Sequence, residues 1–237
     1  MKSVFLHFKF ILLGTLLLLG CESSISGSNF AVNNPVIRTD SIDYLALGDS
    51  YTIGQSVATS QRWPNQLVSS LESAGFRVNE LRIIAQTGWT TTDLLRAIEA
   101  ADLNQYNLVS LLIGVNNQYQ GKPFTLFETE FELLLNKAIS LAGGPENVFI
   151  VSIPDYGVTP FGSANSSNIA MEIDEYNAHM EEVCQALEIP FINVTSISRL
   201  MGAQEGALAQ DNLHPSGEQY SRWVGTIYPV VRDILNK

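Results

Sequence analysis

Ser50 is the first residue of this 237-residue sequence with an evident chemical use. It ends the triplet Gly48-Asp49-Ser50, which directly follows the apolar run 42–47. A serine hydroxyl is a poor nucleophile at neutral pH and needs a general base, usually a histidine that a carboxylate holds in one tautomer. The histidines of the chain are therefore the first candidates for a partner.

Two histidines lie beyond the N-terminal segment. His179 falls on the acidic stripe of a predicted helix at 167–187, opposite its apolar face, which favours an exposed surface histidine. His214 lies in a loop before a predicted amphipathic helix, and Asp211 is three residues away, within reach of its imidazole. By itself, an Asp-x-x-His spacing before a helix more often has no catalytic role. An isolated Gly-Asp-Ser triplet is equally weak evidence for a catalytic site.

Short apolar runs alternate with longer amphipathic patterns along the chain. Five runs are predicted strands, and four of them lack polar alternation, as expected of strands buried on both faces: 42–47, 80–85, 108–113, 148–153 and 190–194. The clearest helical pattern is 124–142, between Pro123 and Gly143. The alternation predicts an α/β fold, a three-layer α/β/α sandwich of the flavodoxin-like type with about five parallel strands.

The carboxyl ends of the strands are where an open α/β sheet binds its ligands. The first predicted strand runs into Ser50, the second into the segment containing Gly88, and the third into Gly114-Val115-Asn116. We therefore expect these small and polar residues to meet at one edge of the sheet.

Four short motifs, taken together and in order, resemble those of the SGNH, or GDSL-type, hydrolase family, which comprises esterases and lipases. They span residues 42–235 when the flanking elements are included. The motifs are Gly48-Asp49-Ser50, Gly88, Gly114-x-Asn116 and Asp211-x-x-His214.

The resemblance implies a role for each matching residue. Ser50 would be the nucleophile, His214 the general base, and Asp211 the residue that orients His214. The oxyanion hole would consist of the backbone N–H groups of Ser50 and Gly88 and the side-chain amide of Asn116. The implied activity is hydrolysis of acyl esters through an acyl-enzyme, on short-chain, aryl or carbohydrate O-acetyl esters. The alternatives are a lysophospholipase or thioesterase for longer chains, and a non-catalytic envelope lipoprotein of the same fold that binds glycans.

Two positions depart from the family pattern. Tyr51 stands where the name GDSL implies leucine, and Asn117 stands where the family often has aspartate. Both put the substrate preference in doubt. The segment 153–161 follows the fourth strand and either forms part of the substrate pocket or only joins strand to helix. Trp63 and Trp89 could stack on a sugar or line an apolar pocket, but buried core positions are commoner for such residues.

The first 20 residues differ from the rest, because they contain two lysines, no acid and an apolar run of signal-peptide length at 10–19. The run ends in Leu18-Leu19-Gly20-Cys21, which resembles the lipobox of bacterial lipoproteins. We therefore expect residues 1–20 to be a signal peptide and Cys21 to carry lipid. The alternative is an ordinary signal peptide or membrane anchor in which Cys21 is incidental.

Residues 21–40 are rich in Ser, Asn and Gly, which predicts a flexible tether before a hydrolase domain at 41–237. The protein would then be held at the cell envelope by its lipid, on the outer membrane or the periplasm-facing membrane of a Gram-negative bacterium.

Charge and composition exclude several classes of function. The chain has 13 basic and 24 acidic residues, a formal charge of −11, and loss of the two leader lysines would leave it near −13. Such a surface repels a phosphate backbone, so nucleic acid is not an expected partner. Two separated histidines and one remaining cysteine, Cys184, form no metal-binding pattern, and no nucleotide-binding glycine loop follows a strand. We expect neither a metal nor a cofactor.

Overall fold

A five-stranded sheet forms the middle layer of residues 41–237, which are the residues that this computed structural model describes. All neighbouring strands are parallel, in the order β2-β1-β3-β4-β5. The strands are β1 (Ser41–Gly48), β2 (Arg77–Ala85), β3 (Leu108–Leu112), β4 (Val148–Val151) and β5 (Phe191–Ile192). The predicted signal peptide, the tether and Cys21 lie outside the described residues.

Helices cover both faces of the sheet, which confirms the predicted three-layer α/β/α fold. In one layer α2 packs against α8, and in the other α5 packs against α3 and α6. The helices are α1 (Ser50–Ile53), α2 (Trp63–Ser73), α3 (Thr91–Ala100), α4 (Val115–Tyr119), α5 (Phe124–Ala142), α6 (Ser166–Ala186), α7 (Thr195–Met201) and α8 (Gly217–Ile234). Within residues 41–237, none of these helices is both long and apolar enough to cross a bilayer.

The long helices begin and end where local sequence signals place them. Helix α5 follows Pro123 and ends at Gly143, whose φ of +75° is left-handed. Helix α8 is capped by Ser216, whose hydroxyl accepts a hydrogen bond from the Gln219 backbone N–H at 3.1 Å. Helices α1, α4 and α7 were not predicted, because four to seven residues are too few to display a helical period.

The core lies between the sheet and its two helical layers. Strands β3 and β4 are buried along their whole length, whereas the edge strand β2 is mostly half-exposed. Trp63 is fully buried and its ring meets Phe149 edge-on, with the ring centroids 6.3 Å apart. Trp63 is therefore a core residue, and it offers no platform for a sugar.

Leucine-to-alanine substitutions should lower the stability of the protein at buried positions of the helices but not at exposed ones. Leu67 on α2 is fully buried, whereas Leu200 on α7 is 74% exposed. We expect Leu67→Ala to lower the free energy of unfolding by about 2–5 kcal/mol, because it leaves a cavity. Leu200→Ala should change it by less than about 0.5 kcal/mol. Urea denaturation followed by circular dichroism measures both, and equal losses would contradict the packing described here.

Candidate active site

A cavity of about 260 Å³ opens at the carboxyl edge of the sheet. Four residues for which the sequence predicts a catalytic or oxyanion-binding role line it together: Ser50, Gly88, Asn116 and His214. They come from the ends of β1, β2 and β3 and from the loop before α8. The structure therefore brings into one place residues that are up to 164 positions apart in the chain.

Ser50 is the first residue of α1, in a turn that follows β1 without an intervening loop. The Asp49 side chain caps this helix, since its Oδ1 accepts a hydrogen bond from the Tyr51 backbone N–H at 3.0 Å. Gly48 is required because a Cβ atom there would lie 2.5 Å from the Leu112 carbonyl oxygen on the neighbouring strand. The end of β1, immediately before the turn that presents Ser50, is thus packed directly against β3.

Asp49 is a buried carboxyl with only part of its hydrogen-bonding capacity used. Its Oδ2 is buried and has no hydrogen-bond partner among residues 41–237. Burial raises the pKa of Asp49 to about 7, and the bond from the Tyr51 N–H opposes this only in part. Asp49 stabilises the turn through its hydrogen bond with the Tyr51 N–H, and it does not line the cavity.

Asp211 and His214 form the hydrogen-bonded pair that the sequence suggested. His214 Nδ1 and Asp211 Oδ2 are 2.7 Å apart. The other carboxylate oxygen accepts the backbone N–H groups of Leu213 at 3.0 Å and His214 at 2.9 Å, which fixes the loop. Since Nδ1 faces Asp211, Nε2 is the ring nitrogen left for other chemistry.

Ser56 is a further member of this site that sequence reasoning missed. Its hydroxyl donates to Asp211 Oδ2 at 2.6 Å. Partial burial raises the pKa of Asp211, but the bonds from Ser56, His214 and Leu213 outweigh burial and lower this pKa to about 2. Ser56 and Asp211 are 155 residues apart, so no local pattern pairs them. A φ of +65° at Ser56 marks the unusual turn that brings the hydroxyl to Asp211.

Gly88 and Asn116, which are predicted to form the oxyanion hole together with Ser50, also line the cavity. Gly88 has a φ of +86°, a conformation that favours glycine. Asn116 Nδ2 donates one N–H to the Trp89 carbonyl oxygen at 2.9 Å, which leaves its second N–H for another acceptor. Before Asn116, Gly114 has a φ of +126°, and a Cβ there would lie 2.6 Å from the Phe127 ring. The backbone that carries Asn116 is therefore tightly constrained.

Asn117, the second departure from the family pattern, does not face the cavity. It is fully buried, and its Oδ1 accepts the Thr91 backbone N–H at 2.9 Å. Its Nδ2 donates to Thr91 Oγ1 at 2.6 Å. Asn117 therefore ties α4 to the start of α3, and it forms no part of the substrate-facing wall.

Aromatic rings form the outer wall of the cavity. Tyr119, Tyr156 and Phe161 all line it, and the Tyr119 and Phe161 ring centroids are 5.7 Å apart. Tyr119 and Phe161 are each more than half exposed, whereas Tyr156 is buried and its hydroxyl donates to Gln118 Oε1 at 2.8 Å. The segment after β4 thus contributes to the pocket, which answers the question that the sequence left open.

His179 is far less exposed than its helical stripe predicted. Only 15% of its side chain is exposed, because it packs edge-on against Phe124, Phe127 and Phe131. The prediction of an exposed surface histidine is therefore wrong, although His179 is absent from the cavity of Ser50, as expected. The pattern of residues within α6 predicts which face of that helix is polar, but it does not show that aromatic rings of α5 cover His179.

Other parts of the described chain lack comparable chemistry. A larger groove of about 920 Å³ between α2 and α8 contains none of the predicted site residues. The hydroxyls of Ser70 and Ser73 in it donate to carbonyl groups of their own helix. Within residues 41–237, no group of three or more histidine, cysteine, aspartate or glutamate side chains could hold a metal ion.

A parallel α/β/α sandwich with serine, imidazole and amide groups around one cavity at its carboxyl edge defines the class of SGNH-type hydrolases. The sequence identifies the family, because the model of the GDSL-like lipase/acylhydrolase family matches residues 46–222. The chain belongs to this family. No curated protein matches it.

Solved structures share the fold at low sequence identity. TesA is 18% identical with a TM-score of 0.63, over 82% of this chain and 99% of its own. The psychrotrophic esterase EstA from Pseudoalteromonas is 16% identical with a TM-score of 0.60, over 83% and 100%. An acetyl xylan esterase from Geobacillus stearothermophilus is 16% identical with a TM-score of 0.61, over 80% and 94%.

The buried Asp49 should make the stability of this site depend on pH. A carboxyl whose folded-state pKa is raised to about 7 stabilises the fold at low pH, and this contribution is lost as the pH rises from about 4 through 7. Asp49→Asn keeps an oxygen for the Tyr51 N–H but does not ionise. We expect the free energy of unfolding of the wild type, relative to this variant, to fall by on the order of 3 kcal/mol between pH 4.5 and pH 8.

Urea denaturation at several pH values measures this difference. Asp102→Asn, which replaces an exposed carboxylate, is the control and should follow the wild type throughout. If the free energies of unfolding of the wild type and of Asp49→Asn change in parallel with pH, the pKa of Asp49 is not raised in the folded state and the prediction is wrong.

Proposed function

We propose that this acylhydrolase is a serine esterase that uses Ser50, His214 and Asp211. The observation that carries the proposal is the 2.7 Å bond between His214 Nδ1 and Asp211 Oδ2, beside a cavity that Ser50 and His214 line together. This arrangement offers a nucleophile, a base of defined tautomer and an anion to stabilise the imidazolium.

In the first step, Ser50 Oγ attacks the ester carbonyl carbon while His214 Nε2 accepts the hydroxyl proton. The carbonyl π electrons move to oxygen, and the resulting oxyanion accepts hydrogen bonds from the backbone N–H groups of Ser50 and Gly88 and from the free N–H of Asn116. Collapse of this intermediate breaks the bond to the alcohol, which leaves with the proton from His214. Ser50 then carries the acyl group.

In the second step, a water molecule gives its proton to His214 and attacks the acyl carbon. The same donors stabilise the second oxyanion, and collapse returns the proton to Ser50 and releases the acid. Asp211 stays ionised throughout, in agreement with its lowered pKa of about 2. Its charge stabilises the imidazolium that forms in each step.

The size and lining of the cavity favour a short acyl group. Its volume of about 260 Å³ lies below the range of roughly 300–1,000 Å³ that is usual for ligand pockets. The exposed Tyr119 and Phe161 rings at its rim provide a surface on which an aryl or sugar alcohol can stack. We therefore infer short-chain, aryl or carbohydrate O-acetyl esters as the substrate class.

Two substitutions test the proposed catalytic roles. Ser50→Ala should abolish hydrolysis of p-nitrophenyl acetate, and Asn116→Ala should lower kcat by about 10²–10³ because one oxyanion donor is lost. Ser69→Ala, on the surface of α2, is the matched serine control and should retain activity. Steady-state kinetics and labelling of Ser50 by a fluorophosphonate probe give the two readouts.

The outcomes distinguish the alternatives. Turnover by Ser50→Ala at the wild-type rate would refute the catalytic assignment. A preference for long acyl chains would indicate a lysophospholipase or thioesterase instead. Glycan binding without hydrolysis and without labelling of Ser50 would indicate a non-catalytic lipoprotein.

We further propose that Cys21 carries a lipid and that the mature protein is anchored at the cell envelope. The motif Leu18-Leu19-Gly20-Cys21 and the apolar run before it support this proposal. Acyl chains on Cys21 would bind the membrane without a spanning helix, because each buried methylene contributes about 0.8 kcal/mol.

Fractionation of cells that express the full chain tests the anchor. We expect the wild type in the membrane fraction with incorporated radiolabelled palmitate, and Cys21→Ser without the label and outside that fraction. Cys184→Ser is the control, since Cys184 is buried in the fold, and it should retain the label. Palmitate incorporation by Cys21→Ser would contradict the proposal.

A further inference from the structure

A second, much smaller cavity lies next to the active-site cavity. Its volume is about 10 Å³, close to the space for one water molecule. It lies among the segment after β4, the end of α7 and the start of α8. The two cavities share three lining residues, Tyr51, Tyr156 and Leu213, which therefore form the wall between them.

Tyr51 is the part of this wall that follows the proposed nucleophile in the chain. Its side chain is only 4% exposed, and its ring meets the His214 imidazole edge-on, with the centroids 5.7 Å apart. On another side the Tyr51 ring packs near the fully buried Trp223, at a centroid distance of 6.3 Å. Contacts of this kind hold the ring in place, so the wall is rigid at this point.

The second cavity has room for about one further methylene group of an acyl chain. Each polar side chain that lines it, apart from the tyrosines of the wall, already has a hydrogen-bond partner, so an entering chain would break no such bond. These residues are Asp155, Thr159, Ser198 and Gln219. Much of the remaining lining is apolar, including Val158, Leu208 and Pro215.

We propose that Tyr51 sets the length of acyl chain that this enzyme accepts, because its ring closes the way from the active-site cavity into the second cavity. A smaller side chain at this position would join the two cavities and extend the acyl pocket. The inference rests on the proposed esterase function. Tyr51 stands where the family usually has leucine, and a shorter acyl pocket would be the physical consequence of this difference.

Chain-length profiles test the role of Tyr51. We would measure kcat/KM on p-nitrophenyl acetate, butyrate, hexanoate and octanoate for the wild type, Tyr51→Leu and Tyr51→Phe. A buried methylene is worth about fourfold in binding and the joined space takes about one more of them, so the ratio of butyrate to acetate should rise roughly fourfold in Tyr51→Leu. Tyr51→Phe keeps the ring and should keep the wild-type ratio.

A second substitution tests whether the longer chain uses the second cavity. Val158 lines that cavity but not the cavity of Ser50. Val158→Ile, which adds a single methylene and so fills this space, should therefore restore the short-chain ratio in the Tyr51→Leu background, and by itself it should leave the ratio unchanged. Tyr51→Met replaces Tyr51→Leu if the latter does not fold, since methionine is adaptable in packing.

Each result bears on a defined claim. A wild-type ratio in folded Tyr51→Leu that reacts with the fluorophosphonate probe would overturn the inference while leaving the proposed function intact. A raised ratio that Val158→Ile does not reverse would also overturn it, because the chain would then take another route. Failure of the wild type to hydrolyse any of the four esters would contradict the proposed function, and the inference with it.

Discussion

The close contact between the end of β1 and the neighbouring strand β3 is the constraint on which the site depends. β1 is the second strand of the sheet and is buried almost throughout, and Gly48 at its end leaves no room for a Cβ beside the Leu112 carbonyl. The chain enters α1 directly after Asp49, and Ser50 is presented at the sheet edge next to this closely packed strand end. Everything else in the site is arranged around this fixed serine.

The remaining groups reach Ser50 because the sheet is parallel. Parallel strands end at the same edge, so Gly88 after β2 and the helix that carries Asn116 after β3 arrive beside the end of β1. His214 comes from a loop instead, and Asp211 holds that loop through both its carboxylate oxygens. The sheet thus positions Ser50, Gly88 and Asn116. His214 is positioned instead by its hydrogen bonds to Asp211, and Asp211 also accepts a hydrogen bond from Ser56.

Buried polar groups below the site carry an energetic cost that the fold compensates elsewhere. Asp49 has one oxygen without a partner in the described part of the chain, beneath a turn where a charge is poorly solvated. Several large side chains surround the same region, including the fully buried Trp223 and Tyr220, whose ring centroids are 5.0 Å apart. The burial of these rings contributes to the stability that offsets this cost, although the Tyr220 hydroxyl and Trp223 Nε1 likewise have no hydrogen-bond partner within residues 41–237.

The sequence by itself determined the class of fold, five strands and the long helices, because these depend on local patterns of apolar residues, caps and glycines. Its four motifs indicated the family and the candidate site residues only through their resemblance to those of known hydrolases. It did not determine the short helices, the Ser56 contact with Asp211 or the burial of His179 against three rings of α5. Nor did it show that Asn117 faces Thr91 while Tyr51 faces two cavities. These features depend on contacts between segments far apart in the chain, and only the tertiary structure decides which side chains meet.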